Sequence, residues 1–139
     1  MNQHTIVTTY RSEGGSVTVK TETLEADLSQ NGEYEIPGSS TDMQINVNIP
    51  ISTMKSFAFG CSKKTGQAST AIFTGLTIKT NSSSAPSDTF TITPTNGIAW
   101  STGDSNANPI GSAITALYIT NDGDAIGNFV VRALLDSTP

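Results

Sequence analysis

The chain has few of the residues on which catalytic and metal-binding proteins depend. Its 139 residues include one cysteine, Cys61, and one histidine, His4. A lone cysteine cannot form a disulfide within the chain, and these two residues lie too far apart in sequence for a zinc-ligand pattern. No nucleophile stands beside a base and an orienting group. We therefore predict that the protein is not an enzyme and has no catalytic residue, no metal site and no cofactor.

Charge is also scarce, since Asp, Glu, Lys and Arg make up 14% of the residues. The formal net charge is −5 and the pI is near 4.5. Nucleic acids and anionic membranes both attract basic surfaces, so we predict neither as a partner. No apolar run approaches the ~18 residues of a membrane-spanning helix. The first residues lack the basic and apolar regions of a signal peptide, which predicts a protein made in a cytoplasm.

Hydroxyl side chains take the place of the missing charges, with 21 Thr and 17 Ser. β-Branched Thr fits a pleated strand, whereas Ser favours turns. Apolar residues alternate with polar ones, as Ile45, Val47 and Ile49 do with Asn46 and Asn48. No segment carries the i, i+3, i+4 apolar stripe of a helix. The sequence therefore predicts an all-β fold with little or no helix.

Turn signals divide the chain into about eight to ten short strands, the pattern of a sandwich or barrel. Antiparallel pairing follows, because no helix is available for parallel crossovers. We predict one domain over residues 1–139, an antiparallel β-sandwich of the jelly-roll type. An immunoglobulin-like sandwich fits the strand count as well, but its Cys…Trp…Cys spacing is missing. Residues 1–12 are expected to form an arm that contacts a neighbouring subunit.

Several local patterns predict turns and irregularities. Asn31-Gly32 is a strong signal for a tight turn. The parity of the apolar residues changes at Leu24, which predicts a bulge or a new strand near Thr23-Leu24. Residues 71–80 predict one long strand in which Gly75 marks a bend or a close backbone approach. Residues 81–88 predict a hairpin loop.

The C-terminal third holds the densest apolar strands. Residues 113–120 and 129–135 flank the turn sequence NDGD at residues 121–124, and together they predict a β-hairpin. Oxygen-bearing side chains at alternate positions faintly suggest calcium. An EF-hand loop requires further ligands and a Glu at its twelfth position, which this segment lacks. Turn chemistry explains the same residues more simply, and we assign them to it.

Three residues are candidates for contact with a partner or ligand: Trp100, Tyr118 and Asn108. An exposed Trp100 beside the polar loop 101–108 could stack on a sugar ring, as in a carbohydrate-binding module or a phage fibre tip. Burial of Trp100 in the core or in a subunit interface is the favoured alternative, because a large aromatic side chain gains most from burial. We expect no other small-molecule ligand.

The remaining reactive side chains have simpler explanations. Glu33 and Glu35 lie two residues apart on a predicted strand, and we interpret them as a solvated face and not as a glycosidase pair. Cys61 follows an apolar strand phase, which predicts a small buried hydrophobe and not a reactive thiol. His4 is expected to be solvated or to lie in an interface.

The second half of the chain resembles a known class of protein. Over roughly residues 80–139 it is similar to small virion proteins of tailed bacteriophages, some of which are head decoration (cement) proteins. The similarity lies in the segments DTFTI (88–92), AWS (99–101), NP (108–109), ITALYITN (114–121) and RALLDSTP (132–139). Before residue 80 the resemblance is limited to general features, namely Thr-rich strands, low charge and frequent turns.

The resemblance implies a non-enzymatic structural protein of the virion. Such a protein is commonly a homotrimer of β-sandwiches. It binds the major capsid protein on the outer surface of the shell and stabilises the boundaries between capsomers. It is made in the host cytoplasm and remains in the particle. Decoration protein is accordingly the leading hypothesis, and a carbohydrate-binding module or a tail or fibre component is the alternative.

Overall fold

The computed structural model describes residues 2–12, 15–26 and 28–136, with side chains for residues 31–136. These residues form ten β-strands and one short 3-10 turn at Ile51–Thr53, which confirms the predicted all-β class. The strands are β1 Asn2–Ser12, β2 Gly15–Ala26, β3 Leu28–Ile36, β4 Ser40–Ile49, β5 Met54–Lys63, β6 Leu76–Thr80, β7 Thr89–Ile92, β8 Ile98–Ser101, β9 Ile114–Asn121 and β10 Gly127–Leu135.

Eight of the strands form two four-stranded antiparallel sheets. The first sheet has the order β3-β10-β5-β8 and the second has the order β4-β9-β6-β7. Consecutive strands from β3 to β10 alternate between the sheets, except that β6 and β7 form a hairpin around the predicted loop 81–88. This order is that of a jelly roll, in which two Greek keys build a double sheet. The predicted jelly-roll-like sandwich is confirmed.

The core lies between the two sheets and is built from the inward positions of each strand. Phe59 of the first sheet is fully buried, and its ring centroid lies 5.1 Å from that of Phe57 and 5.8 Å from that of Phe129. Phe90 of the second sheet meets Phe59 edge-on at 6.0 Å. These tilted contacts suit the ring quadrupoles and join the two sheets through one aromatic cluster.

The two C-terminal strands form as predicted, but they do not make a hairpin. β9 lies in the second sheet beside β4 and β6, whereas β10 lies in the first sheet between β3 and β5. Residues 122–126 therefore cross from one sheet to the other, and the hairpin prediction is wrong. The NDGD signal marks a reversal of the chain but carries no information about which strand the next one pairs with. We call residues 122–126 the crossover.

A single buried amide anchors the crossover. The side chain of Asn121 is fully buried. Its Nδ2 donates hydrogen bonds to the carbonyl oxygens of Ile36 (3.3 Å) and Ala125 (2.9 Å). Its Oδ1 accepts a hydrogen bond from the backbone N–H of Gly123 (3.1 Å). Because Ile36 ends β3 and Asn121 ends β9, this one side chain connects both sheets to the crossover.

The crossover also forms hydrogen bonds with a segment that the sequence predicts to be the first part of β6. The carbonyl oxygen of Ile72 accepts a hydrogen bond from the N–H of Ala125 (2.9 Å), and the N–H of Ile72 donates to Asp124 Oδ1 (2.5 Å). The chain at Ile72 is thus held against the crossover, and the predicted long strand is confirmed only from Leu76 to Thr80. The chain turns at Gly75, where φ is 140°.

Gly75 makes the close backbone approach that the sequence predicts. A Cβ at this position would collide with the carbonyl oxygen of Ile92 on the neighbouring strand β7. Its positive φ is also one that residues with side chains rarely adopt. Both constraints require glycine here.

Asn31 and Gly32 lie inside β3, so the predicted tight turn is wrong. β3 pairs with β10 along its whole length without a register shift, with Asn31 opposite Arg132 and Gly32 opposite Val131. The long central partner strand overrides the local turn preference. The ring of Tyr34 covers Gly32, such that a Cβ there would lie 2.6 Å from the ring. An aromatic side chain over a glycine fills the gap that the missing side chain leaves in a sheet.

β1 and β2 form a separate two-stranded antiparallel sheet. Its bulge lies at Val19, which is skipped between the pairs Thr8↔Lys20 and Thr9↔Thr18, and not near Thr23-Leu24 as predicted. The bulge nevertheless accounts for the change of parity along β2. Because Val19 is skipped, the position of Val17, which pairs with Tyr10, lies on the same face as that of Leu24, which pairs with His4. Contact of residues 1–12 with a neighbouring subunit stays a prediction.

Asn121→Ala is expected to destabilise the fold by about 2–4 kcal/mol, because it leaves two buried carbonyls and one buried N–H without their partner. Asn46→Ala is the matched control. Asn46 is an exposed amide on β4, and its loss should cost less than about 0.5 kcal/mol. Urea unfolding of both variants measures the difference, and equal midpoints would contradict the role assigned to Asn121.

Gly75→Ala should destabilise by more than about 3 kcal/mol, since strain and a backbone collision add. Gly66→Ala is the control, because Gly66 also has a positive φ of 85° but faces open space. It should cost about 1 kcal/mol from strain alone. Thermal unfolding of the two variants tests whether the close approach at Gly75 matters; similar losses would show that it does not.

Candidate interaction surface

The outward positions of the second sheet carry mainly hydroxyl and amide side chains. Inward positions of its strands are apolar and buried, as at Ile78 and Ile119. The register aligns the outward ones in rows: Thr77 of β6 lies opposite both Thr91 of β7 and Thr120 of β9. The next row runs through Thr89, Lys79, Tyr118 and Gln44. We call these two rows the hydroxyl face.

A shallow depression of about 100 Å³ opens at one end of the hydroxyl face. Small-molecule sites usually enclose about 300–1,000 Å³, so this depression is too small to bury a ligand of ordinary size. Five threonines and one carboxylate contribute to its walls. The lining residues are Thr74, Gly75, Leu76, Thr77, Thr91, Ile92, Thr93, Thr120 and Asp122.

The lysine of the hydroxyl face is paired with a carboxylate of the neighbouring strand β4. Asp42 lies in a bulge of β4 with φ of 51°. Lys79 Nζ lies 3.3 Å from Asp42 Oδ1 and donates to the carbonyl oxygen of Ser83 at 3.1 Å. The backbone N–H of Asp42 donates to Thr120 Oγ1 (3.1 Å). A partly exposed pair of this kind adds little stability, but it leaves the face without a free charge at Lys79.

The outward side of the first sheet is different, since it carries exposed ion pairs. Lys64 Nζ lies 2.7 Å from Glu35 Oε1, and Arg132 Nη2 lies 3.2 Å from Glu33 Oε1. Both glutamates are exposed on β3, as expected for a solvated strand face. Each glutamate is paired with a cation, and the two carboxylates are not paired with each other. Among residues 31–136 no group of three His, Cys, Asp or Glu could hold a metal ion.

The two aromatic candidates lie on different sheets. Trp100 lies on β8, at the edge of the first sheet, opposite the inward-facing Phe57. Its ring packs half-buried against the core, and its Nε1 donates to the carbonyl oxygen of Asn106 (3.1 Å). Tyr118 lies on the outward side of β9 in the second sheet. The structure does not bring them together, so a sugar-stacking platform made of both is not formed.

Asn108 is engaged within its own loop. Its Oδ1 accepts a hydrogen bond from the N–H of Ile110 (2.9 Å), and its Nδ2 lies 3.5 Å from the sulfur of Met54. This turn directs Ile110 into the core, where it is 1% exposed. The side chain of Asn108 therefore shapes the loop, and its role in an interface stays a prediction.

The other reactive candidates offer little chemistry. Burial raises the pKa of the Cys61 thiol, and the side chain packs against the core. A protonated thiol is a poor nucleophile, which agrees with the expected role of a small hydrophobe. His4 lies in β1, and its side chain is outside the described residues.

The sequence alone does not identify the threonines of the hydroxyl face as a group. Alternation within each strand marks Thr77, Thr91 and Thr120 as outward residues. It does not reveal that they come from adjacent strands, because β9 is separated from β6 by two intervening strands of the chain. The sequence therefore indicates that each threonine faces outward, but it does not indicate that the three threonines lie together.

Comparison with known proteins adds no relative. No protein-family model matches the chain. No curated protein and no solved structure was found that is similar to it. Within the described residues, no helix is long and apolar enough to cross a membrane. Function must therefore be inferred from the surface of this chain.

Trp100→Ala should destabilise the fold by about 2 kcal/mol, because the half-buried ring loses its packing and its hydrogen bond. Tyr118→Ala removes an outward aromatic and should cost less than about 1 kcal/mol. Denaturant unfolding compares the two. A Trp100→Ala variant of unchanged stability that loses binding on a glycan array would instead show that Trp100 serves a sugar site.

Proposed function

We propose that this protein is a non-enzymatic structural component of a virus particle. It acts as a decoration (cement) protein that binds the outer surface of the capsid and stabilises the boundaries between capsomers. Its partners are the major capsid protein and further copies of itself, in the trimer that the resemblance implies. The observation that carries the proposal is the hydroxyl face: a broad polar sheet surface without a free charge at its centre.

The hydroxyl face has the chemistry of a protein-binding surface. Thr, Tyr and Gln side chains both donate and accept hydrogen bonds, so they can pair with backbone groups or with bridging water on another protein. Specific interfaces carry about one hydrogen bond per 100–200 Å² and exclude unpaired charges from their centre. Because Lys79 is already paired with Asp42, docking another protein here would not leave the charge of Lys79 buried without a partner.

A surface with few charges also suits a protein that is packed at high density on a shell. Strongly charged copies at fixed short spacing would repel each other, whereas hydroxyl and amide surfaces do not. Each single contact can be weak, since repetition over a symmetric shell raises the effective strength of binding. The low charge content of the chain, 14%, fits this arrangement.

The jelly-roll order agrees with the proposal by analogy. Viral capsid domains are among the proteins with this architecture, as are lectins and cupins. Architecture alone does not assign a function, so the surface chemistry carries more weight. The lectin analogy receives less support, because Trp100 and Tyr118 lie on different sheets.

Thr91→Arg should weaken binding to shells assembled from the major capsid protein by about tenfold or more. Thr91 is exposed on β7 at the hydroxyl face, and the long charged side chain of an arginine there would obstruct a docked protein and lose its hydration in the interface. Cosedimentation of purified protein with shells that lack it measures the affinity.

Ser62→Arg is the matched control for this experiment. Ser62 is also an exposed hydroxyl residue, but it lies on β5 of the first sheet. Its variant should bind like the wild type. If the wild-type protein ignores the shells at any concentration and is absent from purified particles, the proposed function is wrong. If both variants bind equally well, the hydroxyl face is not the docking surface.

A further inference from the structure

The hairpin of β1 and β2 leaves two long strand edges without partners. The two strands, of 11 and 12 residues, pair with each other and with no other strand in the described parts of the chain. A two-stranded sheet is marginally stable in water, and a third or fourth strand is normally needed for it to persist. We therefore expect the hairpin to be stabilised by pairing with an additional strand.

The four edges of the sandwich are protected against strand addition. β7 and β8 have only four residues each, which is too short for stable pairing with another chain. β3 exposes Glu33 and Glu35 along its edge. β4 has two register irregularities, and Asp42 adopts a positive φ at the first of them. Short length, charge and bulges are the devices by which proteins block edge-to-edge association.

Of the two hairpin edges, that of β1 has fewer such devices, because its one charged residue, Arg11, lies next to the end of the strand. β2 contains the bulge at Val19 and the charged residues Lys20, Glu22 and Glu25. Residues 2–10 of β1 read NQHTIVTTY and include no Asp, Glu, Lys, Arg, Pro or Gly. Uncharged segments rich in β-branched residues are those that pair most readily with another strand.

We propose that β1 is a strand-pairing site and that its partner is β1 of a second copy of this chain, aligned antiparallel about a two-fold axis. The pairing converts two marginal two-stranded sheets into one four-stranded sheet. It also brings two copies together along an uncharged segment, although each whole chain carries a net charge of −5. An isologous contact of this kind is the commonest way in which identical chains associate.

The register shows which positions of β1 and β2 share a face of the hairpin. Directly paired residues of an antiparallel ladder share a face. One face has the positions of the pairs His4↔Leu24, Ile6↔Glu22, Thr8↔Lys20 and Tyr10↔Val17, so its charged positions come from β2 and not from β1. The opposite face carries pairs such as Thr5↔Thr23 and Val7↔Thr21. Joining β1 to β1 places the uncharged residues 2–10 at the centre of the four-stranded sheet and leaves the charged strand β2 at both of its edges.

The contact joins copies in pairs, and this makes it testable apart from capsid binding. A monomer would become a dimer, and the trimer that the resemblance implies would run as a hexamer. Val7→Lys places a charge near the middle of β1. It should weaken the association by about tenfold, because the contact then brings two added positive charges close to the two-fold axis. Thr21→Lys is the matched control, since it changes the residue paired with Val7 on the other strand.

Sedimentation equilibrium of the full chain over a range of concentrations measures the association. We expect an even-numbered assembly for the wild type and for Thr21→Lys, and dissociation for Val7→Lys and for Val7→Glu alone. Mixing the Lys and Glu variants should restore the assembly, because opposite charges then meet. Far-UV circular dichroism and thermal unfolding of the sandwich should be unchanged in all variants.

Three outcomes would overturn the inference. One is a wild-type chain that stays monomeric or trimeric at every concentration. Another is an assembly that Val7→Lys and Thr21→Lys weaken equally. The third is a monomer in which Val7→Lys abolishes binding to capsid shells, because the β1 edge would then belong to the capsid protein. Failure of shell binding with intact self-association would count against the proposed function alone.

Discussion

The buried amide of Asn121 is the interaction on which the arrangement of the sandwich depends most. A jelly roll requires the chain to pass repeatedly from one sheet to the other, and each passage removes backbone groups from strand pairing. At the last passage, Asn121 supplies the missing partners for Ile36, Gly123 and Ala125. The neighbouring segment at Ile72 then pairs with the crossover. The three hydrogen bonds of the Asn121 side chain thus hold the crossover to this end of the sandwich.

Asn81 performs a related task at the end of the β6–β7 hairpin. Its Nδ2 donates to the carbonyl oxygen of Ala113 (2.9 Å), and its Oδ1 accepts from the N–H of Thr115 (2.8 Å). Short polar side chains of this kind tie loops to strands without adding charge. Such internal use of amides and hydroxyls explains how the fold remains ordered with few charged residues. It also leaves outward threonines such as Thr91 for contact with other molecules.

Much of the fold could be predicted from the sequence, and less of the interaction surface. The period of two identified inward and outward residues, because a strand alternates its side chains whatever its neighbours are. It could not locate the partner of each strand. Asn31-Gly32 has a strong local preference for a turn, yet pairing with β10 holds it in a strand. Thr77 and Thr120 become neighbours only because β6 and β9 pair in the second sheet.

Composition and alternation by themselves determined an all-β sandwich with an apolar interior and a hydroxyl-rich exterior that carries few charges. These properties depend on each residue and its immediate neighbours in the chain. Tertiary structure decided that residues 122–126 cross between sheets and do not form a hairpin, and that the outward threonines form one face. Strand pairing is a contact between segments far apart in sequence. Its free energy depends on the whole set of competing partners, which no local pattern contains.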